Sequence, residues 1–436
     1  MLKKSSWIDL LDEKIIPYID APDYETRYPV LSPLYISKSE KEKIQYIARE
    51  VCAVMAKLAE DVRSKGNVLP IDIINMTPKL TPFILDDDSK YVTNIARLDF
   101  VKDKNGIYKV VEINADTPCA MPEAFYGNAV AQKYFAGSED DGFNAELIEP
   151  FKELLKTTLK GKINFSGVNI TLAANDAYAE DWANMMYLKN ALEDYIKAHF
   201  DEYEFVNVRA ARLIDLVVKD DGVYHNDGSG EYKIDVLYRL HPLELLMDDE
   251  SDDGYPVGLK LMDLANMHKV ILVNPVKAIL MQNKAMMAIA HYLAGSTGYF
   301  DGAAKQIVRT NIAETSMDAK DFAGRKFLKK PIFGREGCNI SIIEPDGTFS
   351  YEAEEADDCA DIYQEFIDSD LVSVETDAGR WEGRFTYSCF VINGKPSKLF
   401  VRFSPSSTSV NPLSTSLDTL SASIAVRTMY IKLIIF

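Results

Sequence analysis

The sequence predicts an α/β (α+β) protein, and three observations carry that expectation. The apolar run VNITLA, bounded by Gly167 and Asn175, is followed by a long helical stretch and a second apolar run, the order of one unit of a parallel sheet. From Lys326 onward the chain is rich in stretches that read as strands. The chain has 436 residues, which at roughly 150 per domain suggests two or three domains with proper cores.

Taken in order, residues 1 to about 90 read as mostly helical, with Ile44, Ile47, Val51, Val54, Met55 and Leu58 at helical spacing between Ser39 and Ser64. From Tyr91 the pattern changes to short alternating runs, and a helical stretch from Ala145 to Leu159 follows. A strand at Val168 to Ala173, a helix at Glu180 to His199 and a strand at Phe205 to Val208 form the parallel unit. Further strands are expected at Leu213 to Val218, Ile234 to Leu240 and Val270 to Val273, with a solvated acidic loop, DDESDDG, before the last. A helix at Lys284 to Leu293, stopped by Gly295, opens a region with strands at Lys326 to Phe333, Asn339 to Glu344, Tyr363 to Ile367, Thr386 to Ile392 and Lys398 to Phe403. After Phe403 a Ser/Thr-rich stretch reads as a loop, and the final YIKLIIF as a strand or an apolar tail. The expected divisions are a helical region with a hairpin (1–165), an α/β region (166–282), a strand-rich region (283–403) and a divergent tail (404–436). No internal repeat is visible.

Composition bounds the function. With 47% hydrophobic and 26% charged residues the chain is an ordinary folded protein. Lys+Arg minus Asp+Glu is 48 − 67 = −19, which repels phosphate backbones and anionic lipids. Nucleic acid and membrane are therefore poor partners, and a cationic or metal-chelated ligand is a better one. No apolar run reaches about 18 residues and the start lacks a secretory signal, so the expected location is cytoplasmic. The five cysteines and five histidines are dispersed. They give neither a disulfide framework nor a zinc or His-based catalytic pattern.

The most informative stretch is ARLDFVKDKNGIYKVVEINADTP, residues 96–118. Asn105-Gly106 between alternating runs predicts a two-residue type I′ hairpin turn. Lys104 then faces Ile107, Asp99 faces Glu112 and Arg97 faces Asn114, while Leu98 and Phe100 face Ile113 and Val111 on the apolar side. Opposed carboxylates with Cβ atoms about 5 Å apart repel by roughly 3 kcal/mol at an effective dielectric near 20. A Mg²⁺ ion, which takes oxygen ligands from a few carboxylates and an amide, would offset this, with Arg97 holding an anion beside it. Two other arrangements remain open: one acid pairs with Arg97, or the register slips and the acids separate.

This R-x-D strand followed by E-x-N-A-D-T-P resembles the synthetase domain of the glutathionylspermidine synthase family, which belongs to the ATP-grasp ligases. In the same order follow Glu180-Asp181 opening a helix, Asn283-Lys284-Ala285, K-P-I-F-G-R-E-G-x-N (Lys330 to Asn339) and Tyr363-Gln364-Glu365. The resemblance covers roughly residues 10–403. It implies an ATP-grasp-like synthetase with a pre-ATP-grasp parallel α/β domain and a mixed-sheet ATP-binding lid.

The resemblance also implies roles. Asp99, Glu112 and Asn114 match magnesium ligands, and Arg97 matches the catalytic arginine that stabilises charge on the transferred phosphoryl and the tetrahedral centre. Thr117 lies where the family contacts the carboxylate substrate, and Glu180 and Asp181 where it meets glutathione and polyamine. Lys284, Lys330, the loop Gly334-Arg335-Glu336-Gly337, Gln364 and Arg402 match ATP contacts. From the residues alone, spacing favours an exposed lysine at Lys284, an ordinary turn at Gly334–Gly337 and a surface residue at Gln364. Lys330 is better specified, since the residue before Pro331 is extended and one of Lys329 and Lys330 must point inward.

Three departures stand out. The residues before the hairpin are too few for the N-terminal Cys-His amidase domain of bifunctional family members, so the expectation is a synthetase-only relative. YRLHPLE (Tyr238 to Glu244) aligns with a Trp- and Thr-rich family stretch that helps hold glutathione but lacks its threonine hydroxyl, and FSPSSTSVNPLST does not continue the pattern after Arg402. The leading expectation is an ATP- and Mg²⁺-dependent carboxylate–amine ligase acting through an acyl phosphate on a peptide-like acid and a polyamine-like amine. Its rivals are a ligase of the same fold with other partners, and an ATP-binding regulatory or assembly module without turnover.

Overall fold

The computed structural model of the chain describes residues 6–20, 26–64, 71–136, 144–163, 167–295, 298–334, 339–351, 360–406 and 429–435. Its architecture is mixed α/β, as expected. A central sheet runs in the order Pro29–Ile36, Met429–Ile435, Lys395–Pro405, Gly379–Ile392, Ile95–Lys102, Tyr108–Asn114, with Val372–Thr376 also paired to Gly379–Ile392. The first two strands are parallel and the others antiparallel.

The expected parallel unit is a four-stranded sheet in the order Ile271–Val273, Val236–Arg239, Val168–Ala174, Val206–Arg212. The helix Ala179–Ala198 lies in the connection from the inner strand Val168–Ala174 to the edge strand Val206–Arg212 and buries Met185, Leu188 and Leu192 in the core they share. An antiparallel sheet of Thr315–Ser316, Asp361–Glu365, Phe327–Pro331, Ser341–Ile343 and Phe349–Tyr351 faces the hairpin. A small meander of Leu216–Lys219, Gly222–Asn226 and Glu231–Lys233 completes the strands.

The helix expected between Ser39 and Ser64 spans Lys38–Arg63 and buries Ile44, Ile47, Val51, Met55 and Leu58. Ser37 begins it, its hydroxyl accepting from the Glu40 amide at 3.1 Å. The N-terminal region is not all helical, however. PVLSPLYI forms a strand, because two prolines exclude a helix interior and the long-range partner at Met429–Ile435 supplies the ladder. Leu213 to Asp215 form a single 3₁₀ turn before the strand at Leu216, so the expected strand there is shorter. The central sheet draws on segments from the first, third and last of the expected divisions.

Candidate active site

The hairpin brings the acids together by a route other than the one its turn suggests. Asp103, not Lys104, faces Ile107: its amide donates to the Ile107 carbonyl at 2.9 Å, and the Gly106 amide donates to the Asp103 carbonyl at 2.9 Å. The loop therefore has three residues, not two. Gly106 alone takes a positive φ, of 79°, and the Asp103 carboxylate accepts from the amides of Asn105 and Ile107. The longer loop shifts the register, so Phe100 faces Val110 rather than Val111. A bulge at Val111 then restores it, and Asp99 faces Glu112 and Arg97 faces Asn114 as expected. Neighbouring elements hold the bulge: the Val110 carbonyl accepts from the Ala313 amide, and the Val111 carbonyl from Gln364 Nε2.

Asp99 is 1% exposed. Its Oδ1 accepts from Arg97 Nε at 2.9 Å and Ser388 Oγ at 2.8 Å. Its Oδ2 accepts from Arg97 Nη2 at 2.9 Å, Arg402 Nη2 at 2.5 Å and Asn114 Nδ2 at 3.2 Å. Burial pushes this carboxyl up, but Arg402, Arg97 and Ser388 outweigh it and bring it down to about 2. Burial likewise works against the Arg97 charge, and Asp99 more than offsets it. For Arg402 burial wins and its pKa is lowered. The repulsion expected between Asp99 and Glu112 is thus relieved by arginines, one of the alternatives left open by the sequence.

Glu112 points to the other side of the site, 3.3 Å from Lys284 Nζ. Lys284 is buried, against the solvent-exposed alternative, and directly precedes the helix Ala285–Gly295; its amine also donates to the Gly334 carbonyl at 2.6 Å. Lys330 is the inward lysine of its strand, and Lys329 turns outward to Asp361. Burial lowers the Lys330 pKa to about 8, with Lys284 adding to the fall and Glu112 opposing it. Gln364 is fully buried and its Oε1 accepts from Lys330 Nζ at 2.7 Å, while Nε2 donates to Thr315 Oγ1. Its side chain therefore fixes Lys330.

These groups border one partly open cleft whose enclosed free volume is about 60 Å³, so a nucleotide-sized ligand needs its walls to part. Asp99, Glu112, Lys284, Lys330, Gly334 and Gln364 line its polar end, and Val101, Val111, Leu328, Ile340 and Ile367 its apolar part. Arg402, although not on the cleft wall, reaches it through Asp99. Arg335 and Gly337 lie outside the described residues. With Arg97 and Arg402, the lysines make four cationic side chains against Asp99 and Glu112, a surplus suited to a polyanion.

The residues expected to meet the substrates adjoin this cleft through Arg97. Its Nη1 donates to the Cys119 carbonyl at 3.0 Å, and the Cys119 thiol donates to Asp181 Oδ1 at 3.3 Å. Thr117 and Asp181 are thus near neighbours of the arginine, both half-buried, as is Glu180 at the start of its helix. Sequence reading passed over Asp116, Arg239 and Ser388. Asp116 and Arg239 form a buried ion pair at 2.6 Å, and Asp116 also accepts from the Leu243 amide. That pair ties the loop after the hairpin to the parallel sheet. The signal for it was the D of E-x-N-A-D, an acid beyond the three residues matched to the metal.

A glutathione synthetase-like effector from Globodera pallida has the same overall fold, with a TM-score of 0.56 and 9% identity over 99% of this chain and 98% of that one. Residues 3–409 match the family described as glutathionylspermidine synthase preATP-grasp, and the chain belongs to that family. A protein of Haemophilus influenzae, named provisionally as an acid–amine ligase, is 24% identical over 332 residues, 72% of this chain and 71% of the relative. Family and relative together support an acid–amine ligase of the glutathionylspermidine synthase type. Among the described residues no helix is long and apolar enough to cross a membrane.

Proposed function

We propose that the protein is an ATP- and Mg²⁺-dependent carboxylate–amine ligase. The observation that supports this most is the convergence of two buried lysines, Lys284 and Lys330, on the carboxylates of the hairpin at the polar end of the cleft. A buried amine with a depressed pKa and, among the described residues, only a carboxamide as direct partner gains most from an anionic ligand, and a nucleotide phosphate is such a ligand. The apolar part of the cleft, between Leu328 and Ile340 on one side and Val101 and Val111 on the other, suits a planar base.

Asp99, Glu112 and Asn114 fit a hard divalent cation by donor chemistry, being two carboxylates and a carboxamide on neighbouring strands. Mg²⁺ bound there would neutralise the charge of the polyphosphate. In the proposed reaction a substrate carboxylate oxygen attacks the γ-phosphorus and ADP leaves. An amine nitrogen then attacks the acyl carbon, phosphate leaves and the nitrogen loses a proton. Arg97 lies between the phosphate end of the cleft and the Thr117–Cys119 loop, so its guanidinium can hold negative charge developing on either group. Catalysis then consists of positioning and electrostatics, without a side-chain nucleophile. A peptide-like acid and a cationic amine are the proposed substrate classes, the amine meeting Asp181 and Glu180.

Phosphate release from ATP and Mg²⁺ in the presence of pooled peptides and amines tests the reading. Release that needs both an acid and an amine supports it. Nucleotide binding without release under any pool would instead favour a binding module.

A further inference from the structure

Asp99 already accepts five hydrogen bonds, two of its donors being guanidinium groups. In that state it has little to offer a metal ion. Freeing it means moving Arg402, and a buried guanidinium moved off its counter-ion needs another anion. Glu112 is a poor recipient, because it faces Lys284 and belongs to the same donor set.

A third acid stands on the other side. Glu123 sits on the π-helical turn Pro122–Gly127, a form often found at functional sites, directly after the Thr117–Cys119 loop. Asn128, at the end of that turn, donates to the Leu399 carbonyl at 2.5 Å and so ties it to the strand that carries Arg402. Glu123 is 8% exposed. Its Oε1 accepts from the hydroxyls of Tyr18 at 2.7 Å and Tyr28 at 3.2 Å. Among the described residues its Oε2 is buried with no hydrogen-bond partner, and so is Arg402 Nε. Burial raises the Glu123 pKa, and Arg97 and Arg402 are the cations that oppose this rise. A carboxylate oxygen and a guanidinium nitrogen, both desolvated, unmatched and within each other's field, are an arrangement in need of an explanation.

We infer that Glu123 is a positioning residue of this site: its uncommitted oxygen receives the Arg402 guanidinium when Asp99 releases it to serve a divalent cation. The inference rests on the ligase reading above. Tyr18 and Tyr28 both hold Oε1 and leave Oε2 open, which a purely structural glutamate would not require.

Calorimetric titration of ADP with and without Mg²⁺ tests this on the full chain. Glu123→Gln keeps an acceptor for both tyrosines and removes the charge. We expect it to weaken Mg²⁺-dependent nucleotide binding about 10-fold or more, the usual effect of losing a metal site's outer partner. Binding in EDTA is expected to stay unchanged, and Glu123→Asp to recover part of the loss. In an Arg402→Gln background the same change should add nothing further. Equal weakening with and without Mg²⁺, full additivity with Arg402→Gln, or wild-type affinity in Glu123→Gln would overturn the inference. Should Glu123→Gln fail to fold, Glu123→Asp decides: a folded Asp variant that loses Mg²⁺ dependence counts against it. If the unaltered protein binds no nucleotide, the ligase reading itself fails and the inference falls with it.

Discussion

Lys330 carries a folding cost that, in the proposed reading, a bound phosphate would offset. Below pH 8 its amine is charged in both the folded and unfolded chain, and folding bears the full cost of burying it. Between its folded value of about 8 and the ordinary 10.5 the folded chain loses the proton first, so stability from this group rises with pH. The difference corresponds to about 3 kcal/mol. Lys330→Met removes that cost but leaves Gln364 Oε1 without its donor, worth about 1 kcal/mol. The variant should therefore be more stable than the parent at pH 7, lose the advantage toward pH 10.5, and bind nucleotide far more weakly. Denaturant curves at the two pH values check this, and a less stable variant at pH 7 would contradict it. Asp99→Asn should act in the opposite sense, costing about 3–5 kcal/mol at neutral pH because Arg97 and Arg402 are left buried without a counter-ion. Asp99 has a depressed pKa, so its contribution is present above about pH 4 and fades toward pH 2. The gap between variant and parent in urea midpoints should narrow over that range.

At the scale of elements, the hairpin shows what local sequence can and cannot specify. The Arg97–Asn114 and Asp99–Glu112 pairs were legible, yet the two-residue turn used to reach them is not there. A three-residue loop shifts the strands by one position and the bulge at Val111 shifts them back. The loop is local and could in principle be read from Asp103, whose side chain caps it. The bulge depends on contacts from Ala313 and Gln364, about 200 residues or more away, which no local pattern reports. The same limit hid the strand Pro29–Ile36, whose partner is at the far end of the chain, and the clamp on Asp99 by Ser388 and Arg402. Two glycine substitutions separate turn from site. Gly106→Ala places a side chain at φ +79° and should cost about 1–2 kcal/mol without changing nucleotide affinity, since the bulge lies between turn and acids. At Gly383 a Cβ would come within 2.1 Å of the Ser404 carbonyl and 2.7 Å of the Phe403 ring. Gly383→Ala should then cost about 1–3 kcal/mol and also weaken binding, because Ser404 and Arg384 border the cleft. Melting temperatures paired with calorimetry distinguish the two outcomes.

For the whole molecule, the central sheet is the common frame. Met429–Ile435 fills the position between Pro29–Ile36 and Lys395–Pro405, so truncation after residue 428 leaves two strand edges open in the middle of the sheet. The shortened protein should melt at lower temperature, scatter more light on standing and bind nucleotide more weakly, because the strand bearing Arg402 loses a neighbour. Unchanged melting would show that this strand contributes little. The overall −19 charge surrounds a cluster with surplus cations, an asymmetry that composition indicated only in part, since the lysines and arginines concerned lie far apart in sequence.

The partners of Asp99 have a further implication for synthesis. Asp99 and Arg402 are separated by 303 residues. At 5–20 residues per second the ribosome needs roughly 15–60 s to deliver the second after the first. During that interval the nascent hairpin carries an acid destined for the interior without its distant guanidinium, and the sheet it belongs to is missing its inner strands. The candidate site is thus not assembled until the Arg402 strand has been made, and translation that stops before it yields a chain with the hairpin but without the Asp99 clamp.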